Sequence, residues 1–323
     1  MNGRTGGTSS GGSGSAHGDC CGSSLLATVQ KALEEGEFFE EEADAAAERL
    51  AQANRTGIDD FQGLSPEQMY RMIYFPFDSP EIVTFPTTLD VVPEAPIIDL
   101  FTLLAEALGP DGVKPTVTGK LPRKLCQDTI RAYLGEEEYR KLTSVGEILR
   151  EVEFSDLHVL RIVAEMAGLI RRYKGKFILG RECRKVLAEE GGAGIYPRLL
   201  MTYLRHFNWG YGDTWAGTPS IQQFFLFSLF LLQKYGDQWQ GNSFYEDLFM
   251  RAFPRVVEEV LPQGQSSPEE VLRRCYSRRF FGDVCRRFGL VEIARVEWAY
   301  SEFRLRKRPL LESAVKFHLP GLL

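Results

Sequence analysis

The stretch FSDLHVLRIVAEMAGLIRRYKGKFILGRECRKVL, residues 154–187, decides the fold prediction. It reads as an apolar helix, a Gly-Leu break, a basic strand, a tight turn, a second strand and another helix. Gly168 suits the helix-to-strand junction and Gly175 suits the hairpin turn, because both positions favour a positive φ. This order is typical of a winged helix, in which a β-hairpin, the wing, packs beside a helix-turn-helix. Since winged helices bind DNA, RNA or proteins, the fold alone does not select a function.

The C-terminal region repeats this order over residues 278–315. A helix ends at Gly289, a strand follows, and Phe303–Leu305 reads as the returning strand before a short helix. A third copy begins at Ile97, where a helix, a Gly-rich turn and a strand at 113–117 follow one another. We therefore predict a mainly α protein, with a helical core and two or three winged-helix-like units whose wings are short β-hairpins.

Composition divides the chain into five predicted segments. The first is rich in Gly and Ser and offers almost no apolar surface to offset the entropy of ordering, so it is predicted to be disordered. The segments are a disordered tail (1–24), an acidic helical region with a Pro-rich connector (25–96), one or more winged-helix-like units (97–190), an apolar helical bundle (191–262) and a second winged-helix-like unit (263–323).

Three local patterns mark helices within these segments. Ser65-Pro66-Glu67-Gln68 and Ser267-Pro268-Glu269-Glu270 are capping boxes, each with Pro in the first turn. The run from Ser220 to Gly236 is apolar almost all round between Phe224 and Leu232, which predicts one long helix buried in a bundle.

Charge is distributed unevenly along the 323 residues. The net charge is −6, but residues 1–118 carry −13, whereas 119–187 and 269–323 each carry +5. Basic wings permit a nucleic-acid surface, but an acidic front would repel phosphates unless it points away from them.

The cysteines and the termini bear on the compartment. Cys126, Cys183, Cys275 and Cys285 form no CxxC pair and have no His at ligand spacing, which favours free, buried thiols in a reducing cytosol. No signal-peptide pattern is visible, and the longest apolar run has 9 residues, against about 20 needed to cross a bilayer. The sequence thus predicts a cytoplasmic protein with no membrane contact, no metal site and no cofactor.

The candidate nucleic-acid contacts lie on the two wings and the helix before the second wing. They are Arg171, Arg172, Lys174, Lys176, Arg278, Arg279, Arg306, Lys307 and Arg308. Such cations bind phosphates without reading sequence. Base readout would fall to the helix at 155–167, whose polar side offers two acids against one permanent cation, a weak reading surface.

The loop NWGYGDTWAG, residues 208–217, is a candidate pocket. Its glycines and aromatic rings, with the preceding His206, nominate His206, Trp209, Asp213 and Trp215 as a recognition site. The other interpretation is that these rings cover the end of the helical bundle.

Nothing in the sequence nominates a catalytic residue. GxSxG, HExxH, GxxxxGK[ST] and GxGxxG motifs are absent, and the four His are widely separated. An enzyme is therefore the least favoured class.

Three segments carry a resemblance to a known family: TGKLPRK (118–124), AEMAGLIRRYKGKFIL (164–179) and HFNWGY (206–211). They resemble a functionally uncharacterised bacterial family with a winged-helix-like region, over roughly residues 64–315. Lys120 stands where that pattern has Asn. The resemblance implies a helical, winged-helix-like architecture and brings no catalytic residues.

We expect a non-catalytic binding or regulatory protein with a macromolecular partner, and a protein partner is slightly preferred. The first alternative is a winged-helix DNA-binding transcriptional regulator, for which a homodimer is left open. The second is an enzyme with its pocket at the loop 208–217.

Overall fold

The computed structural model describes residues 40–215, 218–295 and 302–323. The predicted disordered tail, 1–24, lies outside these residues, and so do Cys20 and Cys21. Within them, Cys126, Cys183, Cys275 and Cys285 are free and buried, as predicted.

The chain divides into two units, residues 1–54 and 55–323. In the first, helix α1 (Glu40–Arg55) begins the described part and ends at the unit boundary. The segments predicted from residue 97 onward all fall within the second unit. The buried side chains of that unit form a single hydrophobic cluster.

Helices make up 56% of the structure, which confirms the mainly α prediction. In the second unit they are α2 Pro66–Tyr74, α3 Pro96–Leu108, α4 Arg123–Leu142, α5 Ser155–Met166, α6 Arg181–Glu189, α7 Gly192–Arg205, α8 Ser220–Gln223, α9 Phe225–Tyr235, α10 Asn242–Ala252, α11 Pro268–Tyr276 and α12 Pro309–Ala314. A π-helix, Ser277–Arg286, continues α11, and short 3-10 helices lie at Asp59–Phe61, Glu151–Glu153 and Pro254–Glu259. None of the helices in the described ranges has both the length and the apolar character that a membrane crossing requires.

The strands are short and pair antiparallel. They are β1 Val83–Thr84, β2 Ile170–Tyr173, β3 Lys176–Leu179, β4 Gln240–Gly241, β5 Val291–Arg295, β6 Phe303–Lys307 and β7 Lys316–Phe317. β1 pairs with β7, β2 pairs with β3, and β6 lies between β4 and β5.

Both predicted capping boxes are present. The Ser65 amide donates to Gln68 Oε1 (2.9 Å) and the Gln68 amide donates to Ser65 Oγ (3.3 Å), which satisfies donors that the first turn of α2 leaves free. Ser267 and Glu270 make the same reciprocal pair at the start of α11.

The central stretch folds as predicted into a helix, a hairpin and a helix. α5 ends before Gly168, whose φ of 70° turns the chain into β2. Lys174 and Gly175 form the two-residue turn to β3, and both have a positive φ, the combination that a type I′ hairpin turn requires.

The predicted third copy has no hairpin of its own. Instead of a strand over 113–117, only Val113 pairs, and it pairs with Phe177 of β3 through reciprocal amide-to-carbonyl bonds of 2.9 and 2.8 Å. α3 and Val113 therefore belong to the same unit as the central hairpin. The reason is geometric: Gly109 and Gly112 turn the chain back onto β3, where a free edge accepts it.

The second hairpin, β5–β6, also occurs where predicted, with Phe303–Leu305 inside β6. Residues 296–301, which join the two strands, lie outside the described part. β6 has a further neighbour that the sequence did not indicate, since Gln240 pairs with Leu305 and Gly241 pairs with Arg304.

The most buried helix is α9. All its residues from Phe225 to Leu232 are buried, as the apolar run predicts. The prediction of one uninterrupted helix from Ser220 is wrong, because Phe224 has φ −98° and ψ 20° and separates α8 from α9. That break lets the Phe224 ring stack on Phe253, with ring centroids 4.0 Å apart.

We predict that Gly112→Ala destabilises the protein. A Cβ at this position would lie 2.4 Å from the Phe177 carbonyl oxygen, and φ is +70°, so the variant strains the backbone and pushes Val113 away from β3. The free energy of unfolding should fall by about 2 kcal/mol in chemical denaturation. Gly146→Ala is the matched control, because a Cβ at that glycine would have no atom within 4 Å of it. An equal effect in both variants would contradict the stated cause.

Candidate functional site

A cavity of about 320 Å³ opens between α5, the end of α7 with the loop after it, and the π-helix. It is lined by Val152, Ser155, His158, Val159, Tyr203, Phe207, Trp209, Tyr211, Gly212, Asp213, Arg278, Asp283 and Arg287. Its walls thus combine aromatic rings with charged groups, the mixture found in small-molecule pockets. The π-helix supplies two of the four charged side chains, Arg278 and Asp283, and such helices are rare and often occur at functional sites.

A chain of hydrogen bonds runs from a buried carboxylate to the cavity surface. His158 Nδ1 lies 2.6 Å from Glu151 Oε1, and His158 Nε2 lies 3.0 Å from the Tyr211 hydroxyl. Because a carboxylate only accepts, Nδ1 carries a proton and donates it to Glu151, and in the neutral ring Nε2 accepts from Tyr211. The arrangement fixes the imidazole tautomer.

Glu151 is only 1% exposed and holds three separate segments together. Besides His158, its carboxylate accepts from the Leu121 amide and from Arg161 Nε, each at 2.6 Å. Burial alone would raise the pKa of Glu151, but these donors outweigh it and hold the pKa below its ordinary value of 4.5. Glu151 is therefore a buried, fully satisfied anion at neutral pH.

A second buried cluster, centred on Arg287, also borders the cavity. Arg287, 3% exposed, donates to Tyr203 Oη (3.1 Å), Asp156 Oδ1 (3.0 Å) and Asp283 Oδ1 (3.1 Å). Arg286 adds two bonds to the Asp156 carboxylate at 3.1 Å. Burial would raise the pKa of Asp156, but the charges of Arg287 and Arg286 keep it lowered. This cluster ties the start of α5 to the end of the π-helix.

Arg279 anchors the aromatic loop. Its buried guanidinium pairs with Asp213 at 2.7 and 3.1 Å and donates to the carbonyl oxygens of Trp215 (2.7 Å) and Thr218 (2.6 Å). Arg279 therefore stabilises the loop and is not available to a phosphate from solvent.

The four residues predicted to form a pocket are divided by the structure. Trp209 and Asp213 line the cavity, whereas His206 lies exposed at the end of α7 and Trp215 is half-buried away from it. Trp209 is itself packed in the core, where its indole N–H donates to the Tyr203 carbonyl at 3.2 Å. The loop therefore covers the bundle and borders a cavity at the same time.

The four basic residues predicted for the first wing, on the hairpin β2–β3, differ in their surroundings. Arg172 pairs with Glu165 (3.4 Å) and lies over the Phe177 ring, and Lys176 donates to the Asp111 carbonyl (3.1 Å). Arg171 and Lys174 are exposed, and no carboxylate of the described residues lies within salt-bridge distance of either.

The basic residues predicted for the second unit are all paired. Arg278 pairs with Asp283, Arg306 with Glu292, Lys307 with Asp237 and Glu312, and Arg308 with Glu94, while Arg279 is the buried loop anchor. The nine candidates thus do not form one patch of free cations.

Sequence reasoning missed the residues that build this site. The polar side that the sequence predicts for α5 carries Asp156, His158, Arg161 and Glu165, and the structure buries His158 and Arg161 of these. Glu151, their partner, lies outside any motif, and Arg287 comes 131 residues after Asp156. No group of three potential metal ligands occurs in the parts of the chain that the structure describes.

We predict that Glu151→Gln lowers the free energy of unfolding by about 3 kcal/mol at pH 7, because it removes the fully buried one of the two carboxylates that pair with the buried Arg161 and leaves the half-buried Glu165 as the other. Since the folded pKa of Glu151 lies below 4.5, its stabilisation is complete above that pH and is lost as the pH falls through the folded value. The difference between wild type and variant should therefore shrink in acid, measured by denaturation across a pH series.

The exposed Glu258→Gln is the control for this series. A stability gap for Glu151→Gln that stays constant down to the acid transition would show that the carboxylate charge is not the cause.

Residues 95–192 match the family model described as the Y4jL N-terminal domain, an uncharacterised family. The matched region runs from just before α3 to the first residue of α7, so it contains the hairpin β2–β3 and the Glu151 network. It covers less than a third of the chain, and the similarity to that family is limited to this region. No curated protein and no solved structure matches the chain.

Proposed function

We propose that the protein is a non-catalytic binding or regulatory protein that contacts a protein partner through a winged-helix unit formed by residues 96–179. The order of elements supports this assignment: α3, the Val113 pairing position, α4, α5 and then the hairpin β2–β3. Val113 pairs with β3 and so gives the wing a third chain segment. The family match begins and ends close to this unit.

One observation carries the proposal. The charged side chains of α5 are buried or paired within the protein, whereas most of those of the wing, β2–β3, are exposed to solvent. In helix-turn-helix proteins that read DNA, the recognition helix lies in the major groove and presents free polar side chains to the bases. Here His158 and Arg161 are buried against Glu151, and Asp156 is held by Arg286 and Arg287. α5 therefore has no free polar side to offer to a groove.

The wing presents a different surface. Strand alternation places Arg171 and Tyr173 on the side of β2 opposite to the buried Ile170, and all of Arg171, Tyr173 and Lys174 are exposed. Two unpaired cations beside an exposed aromatic ring suit an acidic protein surface, because arginine and tyrosine are enriched among the residues that dominate protein interfaces.

Lys174 adds an argument from backbone strain. Its φ of 47° lies in the left-handed region, where Asn or Gly would be accommodated at lower cost. The conformation of the turn therefore does not explain why position 174 is a lysine. Strain held at an exposed site favours a function for that side chain.

A protein partner is preferred to DNA on grounds of charge. The chain carries a net charge of −6, and the free cations of the described wing are few. Phosphate contacts alone would give non-specific affinity, with a Kd on the order of 10⁻⁴ to 10⁻⁶ M. A carboxylate-bearing protein surface also offers apolar area against which the Tyr173 ring can pack.

We predict that a photo-crosslinking p-benzoylphenylalanine at Tyr173 captures a protein in the cells that express this chain. The adduct should be sensitive to protease and resistant to nuclease, and its yield should fall when Arg171→Glu and Lys174→Glu are added, because the partner is acidic. An adduct of twice the chain mass would identify the partner as a second copy.

Two controls separate binding from folding. Arg255→Glu with Arg274→Glu changes the net charge equally at exposed positions away from the wing, and should leave the adduct unchanged. Lys174→Asn removes the charge and relieves the strained turn, so it should keep or raise the melting temperature while lowering the adduct yield. A yield that is insensitive to all the wing substitutions would contradict the proposal.

The alternative, a DNA-binding regulator, rests on the same two free cations. For the protein-partner proposal, fluorescence anisotropy with mixed-sequence duplex should show binding no tighter than the non-specific range, and this binding should vanish with added salt. Tight binding that depends on duplex sequence and is lost in Arg171→Glu/Lys174→Glu would favour the alternative.

A further inference from the structure

We propose that the cavity between α5, the loop after α7 and the π-helix binds a small aromatic carboxylic acid. This site is separate from the wing surface. It shares no residue with the wing, so either proposal stands or fails without the other.

The size of the cavity sets the size of the ligand. A volume of about 320 Å³ lies at the lower end of small-molecule pockets, which run from roughly 300 to 1,000 Å³. A single ring with a short polar substituent fits this space, whereas a nucleotide or a peptide segment exceeds it.

The apolar wall points to a flat ring. Phe207, Trp209 and Tyr211 line one side, and Val152 and Val159 line the helix side. The Tyr211 ring stands edge-on to Phe207, with centroids 5.8 Å apart and planes at 65°. A planar aromatic ligand meets such a surface by edge and face contacts, which aromatic pairs prefer.

Most of the charged groups around the cavity are already saturated. Arg287 uses its donors on Tyr203, Asp156 and Asp283, and Asp213 accepts two bonds from Arg279 and one from the Trp215 amide. These groups shape the cavity and have little capacity left for a ligand.

Arg278 is the exception. Its side chain is 57% exposed and pairs with Asp283 through Nε alone, at 3.2 Å. Neither of its Nη groups has a hydrogen-bond partner among the described residues, and the residue lines the cavity. A guanidinium edge with free donors matches a carboxylate, which it binds with parallel hydrogen bonds.

The same pair limits the charge of the ligand. Asp283 stays beside Arg278 and would repel a second negative charge, so a monoanion is favoured over a phosphate dianion. Ser155, whose hydroxyl has no partner within the described structure, also lines the cavity and is a further donor. A guanidinium with two free Nη groups, one hydroxyl and an aromatic wall together select an aromatic monocarboxylate.

The test uses benzoate and the full chain, with binding measured by calorimetry and by ligand-observed NMR. Benzamide, which has the same shape without the charge, should bind about tenfold more weakly than benzoate, a difference of about 1.4 kcal/mol. Arg278→Gln should weaken benzoate binding by a similar factor, whereas Arg255→Gln, at an exposed arginine away from the cavity, should leave it unchanged.

A second pair of variants tests the position of the ligand. Val152→Phe fills the cavity from its exposed wall and should abolish benzoate binding, while Val145→Phe, at a fully exposed position that does not line the cavity, should have no effect. Melting temperatures of all variants identify any that fail to fold.

Three results would overturn the proposal: no benzoate binding at millimolar concentration, equal binding of benzoate and benzamide, or wild-type binding by folded Arg278→Gln. Inorganic phosphate that competes as well as benzoate would overturn the choice of a monocarboxylate in the same way.

Discussion

The buried carboxylate of Glu151 is the interaction on which the rest of this region depends. It lies in the short 3-10 helix before α5 and accepts hydrogen bonds from the Leu121 amide, from His158 and from Arg161. These donors belong to the segment before α4 and to two turns of α5. A buried anion is costly unless it is fully paired, so the position and rotation of α5 follow from satisfying it.

The rotation of α5 also determines how the π-helix packs against it and where the cavity lies. With His158 and Arg161 turned toward Glu151, the first turn of α5 brings Asp156 to Arg286 and Arg287. The salt bridges join parts of the chain that are more than a hundred residues apart and draw the π-helix against α5. The cavity is the space that remains between them, and its saturated walls result from the same pairing.

The sequence predicted the parts of the fold that depend on local chemistry. The Ser65 and Ser267 capping boxes, the turn at Gly175 and the two hairpins follow from residue types at short spacing, and the structure has them where expected. The burial of Phe225 to Leu232 could also be predicted from the sequence, because a helix that is apolar on all sides is stable only in the interior of a protein. The break at Phe224 could not be predicted, since it accompanies the packing of Phe224 against Phe253, which is distant in the sequence.

The candidate site was predicted less well for a physical reason. Periodicity shows that one side of α5 is polar, but it does not show whether that side faces water or a buried partner. The partners that turned it inward, Glu151 and Arg287, carry no motif, and the second lies far along the chain. Likewise, Arg279 read as a phosphate contact because its partner Asp213 could not be known before the loop was placed.

α5 also relates the two proposed surfaces to one another. Its first turn lines the cavity, and its last turn leads through Gly168 into the wing, about 18 Å away at 1.5 Å per residue. Coupling between distant sites requires an element with two alternative arrangements that both sites bias. α5 is instead fixed at three points, by Glu151, by Arg287 and by the β2–β3 hairpin that follows it. A ligand that enters the cavity without displacing these bonds has no means of moving the wing, so the two surfaces should bind their partners independently.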